Sequence, residues 1–214
     1  HVCIGGWQLE YFQGNSRFRP HPLQLKLSKK ISAFLPEMQR VESDLRTELG
    51  FENVMALPNF RFISEDAEQI ETSSNTLRLV FLARVDRGKG YETIFNFAEL
   101  VKKDNIDILI DFYGPINEAD KEDFLSKVDK YHGIVSYKGV LQQNEVTGCL
   151  ENYDIMLLPT TIYTEGFPGS ILDAYIAGIP VIATEWKHSR EFIDDGETGF
   201  IVPFIDCQAD FNER

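Results

Sequence analysis

Short hydrophobic runs alternate with amphipathic stretches along this chain, and the alternation is most regular after residue 76. Short aliphatic runs bounded by turn residues are typical of buried strands. They predict strands at 77–85, 106–113, 134–137, 154–159, 180–184 and 199–203. The segments that alternate with these strands are 91–103, 118–131, 142–152, 170–177 and 189–194. Regular alternation predicts right-handed βαβ units, and hence an α/β fold with a parallel sheet and helices on both faces.

The pattern before residue 64 is less regular. Residues 1–7 are predicted as a strand that runs into a glycine turn. Residues 23–34 carry apolar residues at helical spacing, 37–49 form a clearer predicted helix, and 52–58 are predicted as a short strand. The apolar stripe of the helix at 37–49 predicts a core face. Its members are Met38, Val41, Leu45 and Leu49.

A polar, acidic stretch without hydrophobic periodicity separates these two patterns at 64–76. Such a composition is typical of a linker or a surface loop. The sequence therefore predicts a first domain at 1–63, a linker at 64–76 and a second domain at 77–214. The chain opens on a histidine within a strand-like segment, which indicates a fragment of a longer protein.

The stretch 154–184 concentrates the candidate chemistry in a strand, a polar loop, a helix and a second strand. Ser170 is the candidate N-cap of that helix. In an open parallel sheet, a loop at the carboxyl end of a strand lies where ligands bind. The unpaired N–H groups at the helix start suit an anion, and Glu165 in the same loop is an acceptor for hydroxyls. This combination suggests a nucleotide-sugar ligand.

The segment resembles the donor-binding signature of retaining GT-B glycosyltransferases, in particular the family 4 group (glycosyl transferases group 1) of bacterial polysaccharide enzymes. That signature has two glutamates separated by seven residues, usually with Glu-Gly-Phe at its head. Here Glu165, Gly166 and Phe167 form the head, and Asp173 replaces the second glutamate. The resemblance implies that Glu165 contacts the donor sugar and that Asp173 contacts the ribose hydroxyls. It also implies a Rossmann-like donor-binding domain, incomplete at its C-terminus, after the last part of an N-terminal acceptor-side domain of the same kind.

The residues themselves leave alternatives open for both carboxylates. Ser170-x-x-Asp173 also fits a capping box, in which the acid holds the start of the helix. Glu165 could orient the sugar, act as a nucleophile or base, or be an exposed loop carboxylate without a role. A retaining nucleophile would need a second carboxylate at close range on the other side of the bond.

A second candidate site follows the first strand of the second domain, where Arg84 and Lys89 stand in a glycine-containing loop. An arginine fork and a mobile lysine can surround a diphosphate. The resemblance implies that both neutralise the charge that develops on the departing nucleoside diphosphate. Ala83 stands where the family commonly has glycine, and Arg87 is a weaker candidate in the same loop. The alternative is a solvated loop without a role.

The remaining predictions for the donor site concern backbone positions. The resemblance places the nucleotide base near Gly114 and Val140, after the second and third strands of the second domain. The loop and the helix start would approach the phosphate through their backbone. Their residues are Gly166, Phe167, Pro168, Gly169, Ser170 and Ile171. Asn59, in a Pro-Asn pair, resembles the motif that ends the first domain in this family.

Composition argues against several other classes of function. The net charge of -13 argues against a nucleic-acid partner. The cysteines are far apart, the histidines lack metal spacing, and no Asp-x-Asp pair of the metal-dependent GT-A class occurs. We therefore expect neither a metal nor another cofactor. The phosphate loop of NTPases and the glycine fingerprint of dehydrogenases are missing as well.

The expected location is the cytoplasm. No apolar run approaches the roughly 20 residues that a membrane-spanning helix needs, and no signal peptide opens the chain. Peripheral contact with the inner face of the membrane is left open, because a basic acceptor-side surface could lie in another part of the protein.

The sequence thus predicts a retaining glycosyltransferase that moves a sugar from a UDP- or GDP-linked donor to a glycan or lipid-linked acceptor, in polysaccharide biosynthesis. One alternative is a catalytically inactive nucleotide-sugar-binding module or partner subunit. Another is a GT-B-like nucleotide-sugar epimerase, which would release an isomerised sugar rather than free nucleoside diphosphate.

Overall fold

A computed structural model of the protein describes residues 2–4, 6–14, 20–61 and 76–204. The predicted linker at 64–76 lies outside the described residues, apart from Thr76. Within the described part of the chain, no helix combines the length and the apolar character needed to cross a membrane.

The chain divides into two compact units that are not contiguous in sequence. The first is His1–Phe60 together with Thr164–Gly169, and the second is Arg61–Tyr163 together with Ser170–Arg214. The sequence predicted two domains that are each continuous along the chain. That prediction placed Thr164–Gly169 in the second domain, whereas these residues belong to the first unit.

The first unit contains short helices and a two-stranded parallel sheet. Strand β1 (Val2–Ile4) pairs with β2 (Phe34–Pro36). The helices are α1 (Gly6–Gln13), α2 (Pro22–Ser28) and α3 (Gln39–Thr47).

The apolar stripe predicted at 37–49 is the core face of α3 and of the residue before it. Met38, Val41 and Leu45 are fully buried, whereas Leu49, the fourth predicted member, lies after the end of α3 and is half-buried. The rings of Phe34 and Phe51 pack edge to face beside them, with centroids 4.9 Å apart. Burial of such side chains is the main stabilising contribution of the unit, at about 1.5–3 kcal/mol for each large apolar residue.

Three predicted elements of this unit differ from the structure. The strand predicted at 1–7 ends early, because α1 begins at Gly6. The helical pattern at 23–34 ends at Ser28, and β2 begins at Phe34. The strand predicted at 52–58 is present only as a short pairing with β2: Val54 forms a bridge to Phe34, and Leu57 donates its N–H to the carbonyl of Pro36 at 2.8 Å. The ladder is incomplete because Pro36 has no N–H to donate in return.

The second unit is built on a six-stranded parallel sheet. Its strands are β3 (Leu77–Leu82), β4 (Ile108–Tyr113), β5 (Val135–Gly139), β6 (Ile155–Leu158), β7 (Val181–Thr184) and β8 (Gly199–Val202). Their order in the sheet is β5-β4-β3-β6-β7-β8, and every neighbouring pair is parallel. The connecting helices are α4 (Tyr91–Asp104), α5 (Lys121–Lys130), α6 (Val146–Leu150) and α7 (Gly169–Ile176). The predicted α/β fold with a parallel sheet is confirmed.

Short helical segments account for the differences in this unit. The segment 142–152 is a 3₁₀ turn, Gln143–Glu145, followed by the short α6. The segment 189–194 contains only a 3₁₀ turn, Ser189–Glu191. The helix α7 begins at Gly169, so Ser170 lies inside it and the predicted N-cap was wrong. Pro168 directly precedes Gly169, and its fixed φ suits the entry into a helix.

An aromatic cluster fills the space between the sheet and two of its helices. Phe95 of α4 stacks on Phe112 of β4 with centroids 5.7 Å apart. Phe124 of α5 lies 5.2 Å from the same ring. All three are at most 3% exposed, so this cluster is the centre of the second unit's core.

The strand order reverses between β3 and β6. The first strand of this sheet therefore lies beside the fourth along the chain, and their carboxyl ends meet at one edge. In open α/β sheets ligands bind in the crevice at this point of reversal. The turn after β3 and the loop after β6 flank that crevice.

We expect Gly90→Ala to lower the free energy of unfolding much more than Gly133→Ala, as measured by urea denaturation. Both glycines have positive φ, of 82° and 92°, so both substitutions cost about 1–2 kcal/mol of backbone strain. A Cβ at Gly90 would also lie 1.8 Å from the carbonyl oxygen of Pro159, whereas one at Gly133 meets nothing within 4 Å. The total for Gly90→Ala should reach roughly 3 kcal/mol or more. Equal losses for both variants would contradict the close packing of Gly90.

Candidate functional site

The turn that follows β3 is built around the carboxylate of Asp86. This residue is 6% exposed and is the N-cap of the 3₁₀ turn Arg87–Lys89. Its Oδ1 accepts a hydrogen bond from the backbone N–H of Lys89 at 2.8 Å. Its Oδ2 accepts one from Nε of Arg84. One buried carboxylate therefore contacts both of the residues that were predicted to hold a diphosphate.

Arg84 and Lys89 differ in their exposure. The side chain of Arg84 is 59% exposed, although its partner Asp86 is buried. The bond to Asp86 is made through Nε, so the two terminal nitrogens of the guanidinium remain suited to a bidentate contact with an anion. Lys89 is half-buried.

Arg87, the weaker candidate in the same turn, is surrounded by carboxylates. Its Nε donates to Asp120 at 3.1 Å, and its Nη2 lies 3.7 Å from Glu92 and 3.5 Å from Asp123. A hydrogen bond from Lys127 is the main cause that lowers the pKa of Asp123, which keeps this carboxylate ionised. The charge of Arg87 thus has three carboxylate partners within the protein, whereas Arg84 has one, Asp86.

The loop after β6 is hydrogen-bonded to the turn after β3. The carbonyl of Gly88 accepts from the backbone N–H of Thr161 at 2.8 Å and from the hydroxyl of Thr160 at 3.1 Å. Thr184 on β7 donates its hydroxyl to the carbonyl of Thr160 at 2.5 Å. These bonds fix the position of the turn at the carboxyl edge of the sheet.

Gly114, predicted near the nucleotide base, lies against the end of β3. A Cβ at this position would lie 1.9 Å from the carbonyl oxygen of Ala83. Its N–H donates to the carbonyl of Gly139 at 2.8 Å, and its carbonyl accepts from Tyr137 at 3.0 Å. Gly114 therefore sets the approach of β4 to the arginine-bearing turn. Val140, in contrast, is 58% exposed.

A tyrosine pair with raised pKa values lies beside Gly114. The hydroxyls of Tyr113 and Tyr153 are 3.0 Å apart, and Tyr153 donates to Asp111 at 2.8 Å. Burial, followed by a hydrogen bond with Cys149, raises the pKa of Tyr113 to about 12. Burial also raises the pKa of Tyr153.

The Glu165 loop belongs to the first unit and is held there by two side chains. The backbone N–H of Phe167 donates to the carboxylate of Glu37 at 3.3 Å. Its carbonyl accepts from the amide of Asn59 at 2.7 Å. Both ends of one residue's backbone are thus fixed directly after Glu165 and Gly166, which are half-buried.

Asp173 on α7 forms a bidentate ion pair with Arg61. Its Oδ1 accepts from Nε at 2.6 Å, and its Oδ2 accepts from Nη2 at 3.2 Å. The carboxylate side chain is 9% exposed. The capping box with Ser170 was wrong, because both oxygens of Asp173 face Arg61 and Ser170 lies inside the helix. Binding of ribose hydroxyls by Asp173 stays a prediction.

The predicted site residues therefore lie in three places. Arg84, Lys89, Gly114 and Val140 follow the neighbouring strands β3, β4 and β5. The group that belongs to the first unit is Glu165, Gly166, Phe167, Pro168 and Gly169. Ser170, Ile171 and Asp173 lie on α7, where Ile171 is fully buried. The side chain of Ile171 is therefore not available to a ligand.

Several residues that shape the site were not predicted. Asp86 carried a usable signal, because an aspartate just before a turn of Arg-Gly-Lys-Gly fits an N-cap. Glu37 and Arg61 carried none, because their partners lie 130 and 112 residues away. Among the described residues, no group of three or more His, Cys, Asp or Glu side chains is placed to hold a metal ion.

A family model for Glycosyl transferases group 1 matches residues 76–214, which is more than half of the chain. The chain belongs to the glycosyl transferases group 1 family. The resemblance of the Glu165 segment to this family is thereby confirmed.

Curated relatives that resemble this chain are named as glycosyltransferases. A D-inositol 3-phosphate glycosyltransferase of Arthrobacter sp. is 26% identical over 157 residues, which cover 72% of this chain and 36% of the relative. A putative colanic acid biosynthesis glycosyltransferase, WcaL of Salmonella typhimurium, is 25% identical over 139 residues, covering 62% of this chain and 34% of the relative. This chain spans about a third of the length of these relatives.

Solved structures share the fold. A mutant of S. aureus TarM, crystallised with fondaparinux, alpha-GlcNAc-glycerol and UDP, has a TM-score of 0.70 at 21% identity. The match covers 87% of this chain and 37% of TarM. This group 1 chain therefore has the Rossmann-like α/β fold of GT-B glycosyltransferases, as predicted.

We expect Arg61→Gln and Asp173→Asn to be coupled in a double-mutant cycle of unfolding free energy. The pair is bidentate and partly buried, so its coupling energy should be about 1–2 kcal/mol. The matched control is Arg190 with Glu185, which are 2.7 Å apart but 59% and 42% exposed and should couple by less than about 1 kcal/mol. No coupling, together with weaker nucleotide binding by Asp173→Asn alone, would instead favour the ribose-binding role.

Proposed function

We propose that this protein is a retaining glycosyltransferase that moves a sugar from a nucleoside-diphosphate sugar to a glycan or lipid-linked acceptor. The observation that carries the proposal is the turn after β3. In a chain of the glycosyl transferases group 1 family, it presents Arg84 and Lys89 at the point where the strand order of a parallel sheet reverses.

The turn has the chemistry that a departing diphosphate needs. The exposed guanidinium of Arg84 and the ammonium of Lys89, two residues of one turn region, would be the donors. Charge that develops on the leaving group would be stabilised by Arg84 with little reorganisation, because Asp86 already holds its guanidinium. No protein-bound metal is required in this scheme.

The remaining roles follow the signature loop. Glu165 would accept hydrogen bonds from hydroxyls of the donor sugar. The backbone N–H groups at the start of α7 would add partial positive charge for the phosphate, since that helix begins at Gly169. The anomeric configuration would be kept, as in the group that the signature resembles.

The relatives favour a polysaccharide setting and a uridine nucleotide. WcaL is named for colanic acid biosynthesis, and the TarM mutant was crystallised with UDP. We therefore propose a UDP-linked donor before a GDP-linked one.

A second candidate is a nucleotide-sugar-binding module without catalytic activity. It is favoured by Asp173, because this shorter acid stands in for the second glutamate of the signature and is already paired with Arg61. Such a module would bind the donor but release no nucleoside diphosphate in the presence of acceptors.

Thermal unfolding with UDP, GDP, ADP, dTDP and NAD tests the proposal. At a nucleotide concentration 100 times its dissociation constant, binding adds about 2.7 kcal/mol of stability. We expect UDP to raise the melting temperature of the wild-type chain and of Lys121→Ala, a control cation on α5. Arg84→Ala and Lys89→Ala should each greatly reduce the shift, because the remaining contacts bind UDP only weakly.

The result that would overturn the proposal is a nucleotide shift that both Arg84→Ala and Lys89→Ala retain. The absence of any shift, in this chain and in the full product of its gene, would overturn it as well. Release of UDP from a UDP-sugar on addition of acceptor glycans then separates the transferase from the inactive module.

A further inference from the structure

Two buried aspartates hold the 3₁₀ turn Arg87–Lys89. Asp86 and Asp120 are 6% and 8% exposed. Each accepts one hydrogen bond from a backbone N–H of the turn and one from an arginine Nε. The arginine is Arg84 for Asp86 and Arg87 for Asp120. The two carboxylates are therefore alike in burial and bonding, and they differ in the cation that they orient.

We propose that Asp86 is a positioning residue for the diphosphate of the donor, acting through Arg84 and Lys89 rather than by contact with the ligand. This inference rests on the proposed function. Its carboxylate holds the side chain of Arg84 and the backbone of Lys89, so the guanidinium is fixed relative to the point where the lysine side chain leaves the turn. Asp120 has no such link to Arg84 in the described contacts.

Fixing an exposed arginine has a physical advantage for anion binding. The side chain of Arg84 is 59% exposed and would otherwise sample many rotamers. Ordering it at the moment of binding would cost conformational entropy, which a bond formed beforehand removes. Asp86 supplies that bond from a buried position, because its own carboxylate is also fixed by the N–H of Lys89 at 2.8 Å.

The surrounding backbone keeps the turn itself in place. The carbonyl of Gly88 accepts from Thr160 and Thr161, and Gly90 packs on Pro159. The turn is thus anchored on both sides of Lys89 independently of Asp86. Loss of the Asp86 carboxylate should therefore release Arg84 and loosen Lys89 locally, without displacing the whole loop.

The alternative to positioning is that the negative charge of Asp86 competes with the diphosphate for Arg84, and this alternative predicts the opposite change in affinity. If Asp86 only competed with the ligand for Arg84, its removal would free the guanidinium and reduce repulsion of the diphosphate. Nucleotide binding would then become tighter. The direction of the change in affinity decides between positioning and competition.

Titration calorimetry with UDP and with uridine tests the inference. The ratio of the two dissociation constants isolates the contribution of the diphosphate. We expect Asp86→Asn to lower the preference for UDP about tenfold, because a charge-assisted bond to the phosphate-binding arginine is weakened. Asp120→Asn should change it by less than about twofold, although it removes an equally buried charge. Equal losses in both variants, or tighter UDP binding by Asp86→Asn, would overturn the proposal.

A double-mutant cycle checks that Asp86 acts through Arg84. In an Arg84→Ala background, Asp86→Asn should have only a small further effect on the preference for UDP. A tenfold effect that persists in that background would show that Asp86 acts by another route.

Two further comparisons keep the outcomes distinct. Asp86→Ser retains a side-chain oxygen that can cap the turn, but it is too short to reach Arg84 as the carboxylate does. The variant should fold and show the same loss of preference for UDP, and a wild-type ratio of the two dissociation constants would refute positioning.

If wild-type protein does not bind UDP, or if UDP binds equally well to Lys89→Ala and Arg84→Ala, the proposed function itself fails. If those two variants lose binding and Asp86→Asn does not, only the present inference fails.

Discussion

The parallel pairing of β3 with β6 is the constraint on which the candidate site depends. These strands are the first and the fourth of their sheet along the chain, and their pairing brings the turn after one beside the loop after the other. Both connections then compete for the same space at the carboxyl edge. Glycine at 88 and 90 allows the close approach, and the carbonyl of Gly88 becomes the acceptor that joins the two connections. The position of the cationic turn beside the loop after β6 is therefore a consequence of the strand order.

Charge at this site is arranged locally in a protein that is acidic overall. The chain has a net charge of -13, which would repel a diphosphate at long range. Salt screens such repulsion beyond about 8–10 Å, so contacts within the site determine binding. The side chains of Arg87 and Arg84 are equally exposed, but Arg87 is balanced by three carboxylates, whereas Arg84 has one buried partner. The number of acidic neighbours is therefore what makes Arg84 a better candidate than Arg87 for binding a diphosphate.

The sequence was informative wherever structure depends on neighbouring residues. The aliphatic runs of the second unit are buried strands, and the core face of α3 follows from its own apolar spacing. Prediction failed where a distant partner decides. The segment 52–58 has the pattern of a strand, but its ladder is incomplete because Pro36, in another element, has no N–H to donate. The pairing of Asp173 with Arg61 joins residues 112 apart, and no local pattern shows such a partner.

The hydrogen bonds to Phe167 affect how parts of this family could be recombined. The family match begins at residue 76, yet Glu37 and Asn59, which fix the backbone of Phe167, precede it. A chimera joined at that boundary would carry the signature loop into a host that supplies its own residues at both places. Crossover points chosen from the family boundary alone would separate a loop from its anchors. A recombination that preserves this loop must exchange the segments around Glu37 and Asn59 together with Thr164–Gly169.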